Sequence, residues 1–119
     1  MSQEKFLQGR AAIVTGGTSG IGKAIALALA ERGANVAIGS RSASTSSCKA
    51  QIESLGVKAL AMNMDVSSTD SVRAFYDATV QGFGKVDILV NAAGIGYEHA
   101  ICDRPVTMED ITVAVGSLW

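Results

Sequence analysis

The sequence predicts an α/β fold, a parallel sheet of about four strands with helices on both faces. Three observations carry this expectation. Short apolar runs recur at Ala11–Thr15, Asn35–Gly39, Lys58–Met64 and Val86–Val90, stretches with helical spacing separate them, and a glycine-rich turn joins the first run to the first helical stretch. Strands that alternate with helices at this spacing imply right-handed βαβ crossovers, and these lay helices over a parallel sheet.

Ala11–Thr15 (AAIVT) is a short apolar run that ends at a glycine cluster, as a strand buried on both faces does. Gly20–Arg32 is rich in Ala and Leu, places Ile21, Ile25, Leu29 and Ala28 on one face, and meets a stop at Gly33. Asn35–Gly39 (NVAIG) reads as a second buried strand. Ser40–Ser47 (SRSASTSS) reads as a loop, leading into a helix over Ser44–Leu55 that carries Ile52 and Leu55 and is capped by Gly56. Lys58–Met64 alternates loosely around Leu60 and Met62, a third strand. Ser67 with Asp70 resembles a capping box, with Asp for the usual Glu, opening a helix through Val72, Phe75, Tyr76 and Thr79 that Gly82 and Gly84 end. Val86–Val90 (VDILV) is the fourth strand, and Thr107 with Glu109 and Asp110 caps a last helix from about Met108.

Composition narrows the functional classes. The 119 residues suffice for one domain, and 48% hydrophobic against 18% charged residues supports a buried core. Ten basic and 11 acidic side chains nearly cancel, which argues against nucleic acid or anionic lipid as a partner. Cys48 and Cys102 have no CxxC spacing and His99 is the single histidine, so no metal or redox motif is expected, only reduced structural thiols of a cytoplasmic protein. Met1–Arg10 is polar and mixed in charge, unlike a signal peptide. The apolar run Ala24–Ala30 is far shorter than the roughly 20 residues of a membrane span.

Thr15–Gly22 reads TGGTSGIG, between a strand and a helix. A main chain that must approach a pyrophosphate closely needs glycine there: Gly16 for the sharp turn, Gly20 to remove a colliding side chain, Gly22 to let the helix pack tightly. Free N–H groups and the helix dipole then favour the phosphate charge. The plain alternative is that these glycines only mark a strand-to-helix turn.

The spacing resembles the TGxxxGIG signature of the short-chain dehydrogenase/reductase family rather than GxGxxG. Asp65-Val66 after the third strand and Asn91, Ala92, Ala93 and Gly94 (NAAG) after the fourth agree with it, so the resemblance runs from Gly9 to about Thr112. It implies a partial doubly wound Rossmann fold with nicotinamide dinucleotide held by Gly16, Thr18, Ser19, Gly20, Ile21 and Gly22. Asp65 would face the adenine amino group, with Val66 beside it, and the NAAG element would steady the sheet beside the cofactor. It also implies hydride transfer between the nicotinamide and a carbonyl or secondary alcohol, with a leaning toward 3-oxoacyl carrier-protein reductase-like members.

Cofactor choice is read at the end of the second strand, where an acidic residue selects NAD and a basic one accepts the 2′-phosphate. Here Ser40 is followed by Arg41, and no Asp or Glu stands between Asn35 and Ala50, so NADP(H) is preferred over NAD(H). The competing reading of Arg41 is a solvated loop charge, and Ser19 stands where many NADP-dependent relatives carry a second basic residue.

The family's catalytic tyrosine is followed four positions later by lysine, which helps the phenol ionise. Tyr76 is followed by Val80 and Tyr97 by Ile101, so neither forms the pair. Tyr76 reads as a packing residue and Tyr97 as a loop residue near the substrate mouth. TMED (Thr107–Asp110) resembles the family, but Ile111 replaces its tryptophan, Ser117 and Leu118 stand near its asparagine, and GSLW (Gly116–Trp119) departs from its pattern. The expectation is a C-terminally incomplete domain without catalytic residues of its own. The alternative is a non-catalytic nucleotide-binding or interaction fragment. With no fifth strand, the fourth would be an unpaired edge and a route to self-association.

Overall fold

The computed structural model describes residues 6–16, 20–41, 47–65, 68–91 and 98–101. The elements are β1 (Ala11–Thr15), α1 (Gly20–Glu31), β2 (Asn35–Ser40), α2 (Cys48–Glu53), β3 (Ala59–Asn63), α3 (Thr69–Phe83), β4 (Ile88–Asn91) and β5 (Glu98–Ile101). The sheet order is β3-β2-β1-β4-β5, with parallel pairing from β3 through β4. The predicted doubly wound arrangement is therefore present.

Alternation along β1 divides the core. Ala12 and Val14 join Val36, Ile38, Ile88 and Val90 under Ala26 and Ala30 of α1 and Cys48 and Ile52 of α2. Ile13 faces the other way with Ala37 and Leu89, under Val72 and Phe75 of α3. The side-chain period of two in each strand thus supplies two cores, and helices cover both faces. The reversal of chain direction across the sheet causes this: right-handed crossovers that step from β1 to β3 use one face, and the step back to β4 uses the other.

Several local expectations shift. The face of α1 against the sheet is Gly22, Ala26 and Ala30, all buried, while Ile25 and Leu29 are only partly buried at its flanks. Small side chains let the helix axis lie close to the strands, so they outcompete the larger residues for that position. The capping residue of α3 is Ser68, whose hydroxyl accepts from the Ser71 amide at 3.2 Å. Ser67 lies outside the described residues. Gly84 ends α3, donating its N–H to the Val80 carbonyl at 2.7 Å, and Gly82 lies within the helix. Tyr76 packs against the second core, as expected. Cys48 is buried in the first core, and burial pushes its thiol pKa up, against a smaller opposing effect of Lys23.

The unpaired edge is corrected. Glu98–Ile101 runs antiparallel along β4, pairing Ile88 with Ile101 and Asn91 with Glu98. An apolar strand edge carries unmet N–H and C=O groups, and the chain folds back to meet them. β4 is thus an interior strand, and self-association through it loses its template. Residues 42–46 of the serine-rich loop, the segment Ala92–Tyr97, Cys102 and the helix expected from Met108 lie outside the described residues.

Two contacts pin the sheet. Asp87, 7% exposed, accepts the Ala11 amide on Oδ2 at 3.0 Å and donates its own N–H to the Ala11 carbonyl at 2.8 Å. Lys85 and Arg10 approach its carboxylate at 3.2 and 3.7 Å. At the other edge of the sheet, a Cβ on Gly39 would lie 2.9 Å from the fully buried Phe75 ring.

Two stability predictions arise. Gly39→Ala costs about 1–3 kcal/mol, since a packed ring must shift, whereas Gly82→Ala, which meets nothing within 4 Å, gains about 0.5–1 kcal/mol from helix propensity. Denaturant midpoints read both, and equal effects would contradict the packing account. Asp87→Ala leaves the Ala11 amide without its side-chain acceptor and costs about 1–3 kcal/mol. Asp87→Asn keeps an acceptor and loses only partly exposed ion pairs, for about 0–1 kcal/mol. A larger loss in the Asn variant would place the stabilisation in the ion pairs instead.

Candidate functional site: the C-terminal edge of the sheet

The register of the sheet decides which residues meet at its C-terminal edge. Thr15 is level with Gly39 on one side and Asn91 on the other, and Ser40 is level with Asn63. β1 is also where the chain's direction across the sheet reverses. Open α/β sheets take ligands in the crevice outside the strand ends at such a point.

Thr15 is fully buried, and its hydroxyl reaches toward the Val90 carbonyl at a long 3.4 Å. Gly16 follows with φ +75° and donates its N–H to the Gly39 carbonyl at 2.7 Å. A side chain in that left-handed conformation costs about 1–2 kcal/mol, so glycine is what the turn needs. α1 opens at Gly20, after residues 17–19, which lie outside the described residues and include Thr18 and Ser19. Gly20 and Ile21 form the first helical residues, and Gly22 is buried. A helix start leaves N–H groups without intrahelical partners, and its dipole favours an anion. Gly16, Gly20, Ile21 and Gly22 are therefore brought to one strand end.

The second cluster forms beside β2 and β3. Ser40 ends β2 and accepts the Met64 amide at 2.8 Å, and Arg41 follows it, exposed. An open depression of about 280 Å³ is lined by Arg41, Asn63, Met64, Asp65 and Ser71. A guanidinium and an acceptor-only carboxylate thus border one concavity. Asn91 ends β4 level with Thr15. Val66, Ala92, Ala93 and Gly94 lie outside the described residues.

The sequence did not single out Ser71 or Asn63. Ser71 sits in a run of polar residues where composition does not distinguish it, and only the packing of α3 brings it beside Asp65. Tyr76 is partly buried against the second core, and Tyr97 lies outside the described residues. Among the described residues no group of His, Cys, Asp and Glu could hold a metal, and no helix is long and apolar enough to cross a membrane.

Comparison with known proteins agrees with this geometry. The chain is 41% identical over 113 residues to an L-rhamnose 1-dehydrogenase (NAD(P)(+)) of Sphingomonas sp., covering 93% of this chain and 44% of that protein. It is 48% identical over 95 residues to a 3-oxoacyl-acyl-carrier-protein reductase of Vibrio cholerae, covering 80% of this chain and 38% of that protein. A crystal structure of a short chain dehydrogenase from Burkholderia cenocepacia in complex with NADP superposes with TM-score 0.70 at 43% identity, covering 92% of this chain and 44% of that one. The chain thus spans less than half the length of each of these three relatives. The short chain dehydrogenase family profile matches residues 10–114, and the chain belongs to that family.

Proposed function

We propose that this chain holds NADP(H) for an oxidoreductase that moves hydride between the nicotinamide and a carbonyl or secondary alcohol. The observation that carries the reading is the left-handed turn at Gly16, tied to Gly39, immediately before a helix start at the chain-reversal point of the sheet. The residues present fit a dinucleotide. The turn and the first N–H groups of α1 suit a pyrophosphate, and the family resemblance adds Thr18 and Ser19 to that contact. The buried small face of Gly22, Ala26 and Ala30 keeps the helix start close to the strand ends.

The depression beside β2 and β3 suits the adenosine end. Asp65 offers only acceptors, which match the exocyclic amino group of adenine, and the family resemblance adds Val66 to that contact. Ser40 carries no charge to repel a 2′-phosphate, and Arg41 offers a forked, charge-assisted clamp for one. This favours NADP(H) over NAD(H). The rhamnose dehydrogenase relative is named for both cofactors, so Arg41, rather than kinship, supports the choice. Asn91, Ala92, Ala93 and Gly94 would steady the edge beside the nicotinamide half.

When bound, the nicotinamide supplies or accepts the hydride; the residues of this chain bind and orient it. A small carbonyl compound is the second partner, for which 3-oxoacyl thioesters and sugars are candidates by kinship.

Arg41→Asp tests the cofactor choice. It is expected to weaken NADP(H) binding by about 10- to 100-fold, the worth of a charge-assisted pair, while NAD(H) binding holds or improves. Calorimetric titration of both cofactors reads the ratio. An unchanged ratio returns Arg41 to the status of a solvated loop charge.

A further inference from the structure

Three residues at the start of α3 close a ring of hydrogen bonds. The Asp65 amide donates to Ser71 Oγ at 2.9 Å, the Ser71 amide donates to Ser68 Oγ at 3.2 Å, and the Ser68 amide donates to the Asp65 carbonyl at 3.0 Å. Asp65 is thereby held at both its N–H and its C=O. One residue earlier, Met64 is still tied to β2 through the Ser40 carbonyl and is buried in the second core. The main chain leaves the sheet at Asp65, and the ring replaces the strand ladder as its support.

Ser71 is the member of this ring that reaches from the helix into the ligand region, since it also lines the depression with Arg41, Asn63 and Asp65. Its own place is fixed by packing. Phe75 lies one helical turn further on the same face, with its ring against Gly39. The absence of a side chain at Gly39 lets α3 sit low enough for the Ser71 hydroxyl to meet the Asp65 amide.

We propose that Ser71 is a positioning residue for recognition of the adenine amino group, acting through the ring that fixes Asp65 against α3. The inference rests on the reading that the adenosine end of the cofactor occupies the Arg41–Asp65 depression. The Asp65–Ser71 bond is solvent-exposed, so water can satisfy the amide when the hydroxyl is removed. What is lost is the fixed main-chain position from which the carboxylate projects, and the loss falls on ligands that carry the amino group.

The test compares NADP with its deamino analogue, in which hypoxanthine replaces adenine, on the full chain and on Ser71→Ala and Ser71→Thr. The unaltered chain is expected to bind NADP about 10- to 100-fold more tightly than the analogue, the worth of one hydrogen bond to a charged acceptor. Ser71→Ala brings that ratio close to one with little change in melting temperature, and Ser71→Thr, which keeps the hydroxyl, restores it. A Ser71→Ala protein that keeps the full ratio overturns the positioning role while leaving the cofactor reading intact. Equal binding of the two ligands by the unaltered chain overturns recognition of the amino group. Failure to bind either one removes the cofactor reading itself.

Discussion

Two-sided parallel pairing of β1 is the constraint from which the rest of this structure follows. Every residue of β1 is buried, so its side chains must serve two cores and its main-chain groups must be met by β2 and β4. A shift of one residue would exchange the two faces, sending Ile13 to the α1 side and Val14 to the α3 side. Asp87 opposes that shift by binding both main-chain groups of Ala11 at the start of the strand. The Gly16–Gly39 bond holds the other end. Register set at one edge therefore aligns Thr15, Gly39 and Asn91 at the other.

The ligand edge inherits its order from that alignment and from the helices above it. On one face, Gly22, Ala26 and Ala30 bring α1 down on the strands, so that the helix starts beside the turn at Gly16. On the other, Gly39 admits the Phe75 ring, and α3 then delivers Ser68 and Ser71 to Asp65. The two halves of the proposed site thus depend on different helices packed on opposite sides of one sheet. Arg41 depends on neither helix: it is an exposed side chain just past β2, lining the same depression as Asp65 and Ser71.

Much of this was legible in the sequence where a short-range signal was sufficient. Ala11–Thr15 was read with its observed bounds because an unbroken apolar run ends at a glycine that the turn requires. The strand-end places of Gly16, Arg41 and Asp65 follow from the order of strands, while a role for Asp65 comes only with the family resemblance. Tertiary choices were less accessible. The segment Ala24–Ala30 is apolar all round, so its pattern does not say which face meets the sheet, and the small residues took that face. Ser67 and Ser68 are the same residue type, and the ring through Asp65 and Ser71 selects the second as the cap. Glu98–Ile101 has little strand character of its own, and its pairing arises from the unmet main-chain groups of β4. Ser71 has no sequence signal at all, because its neighbour Asp65 is brought to it only by the fold.

The central claim is that main-chain amides at the start of α1, beside the Gly16 turn, grip a dinucleotide's phosphates. Titration of glycine-labelled protein with NADP, followed by amide nitrogen–proton NMR, reads those groups directly. The account predicts saturable shifts at Gly16, Gly20 and Gly22, and none at Gly56 and Gly84, which precede β3 and β4 at the opposite edge of the sheet. Saturation without movement of the first three, or no saturable change at any glycine, would contradict it.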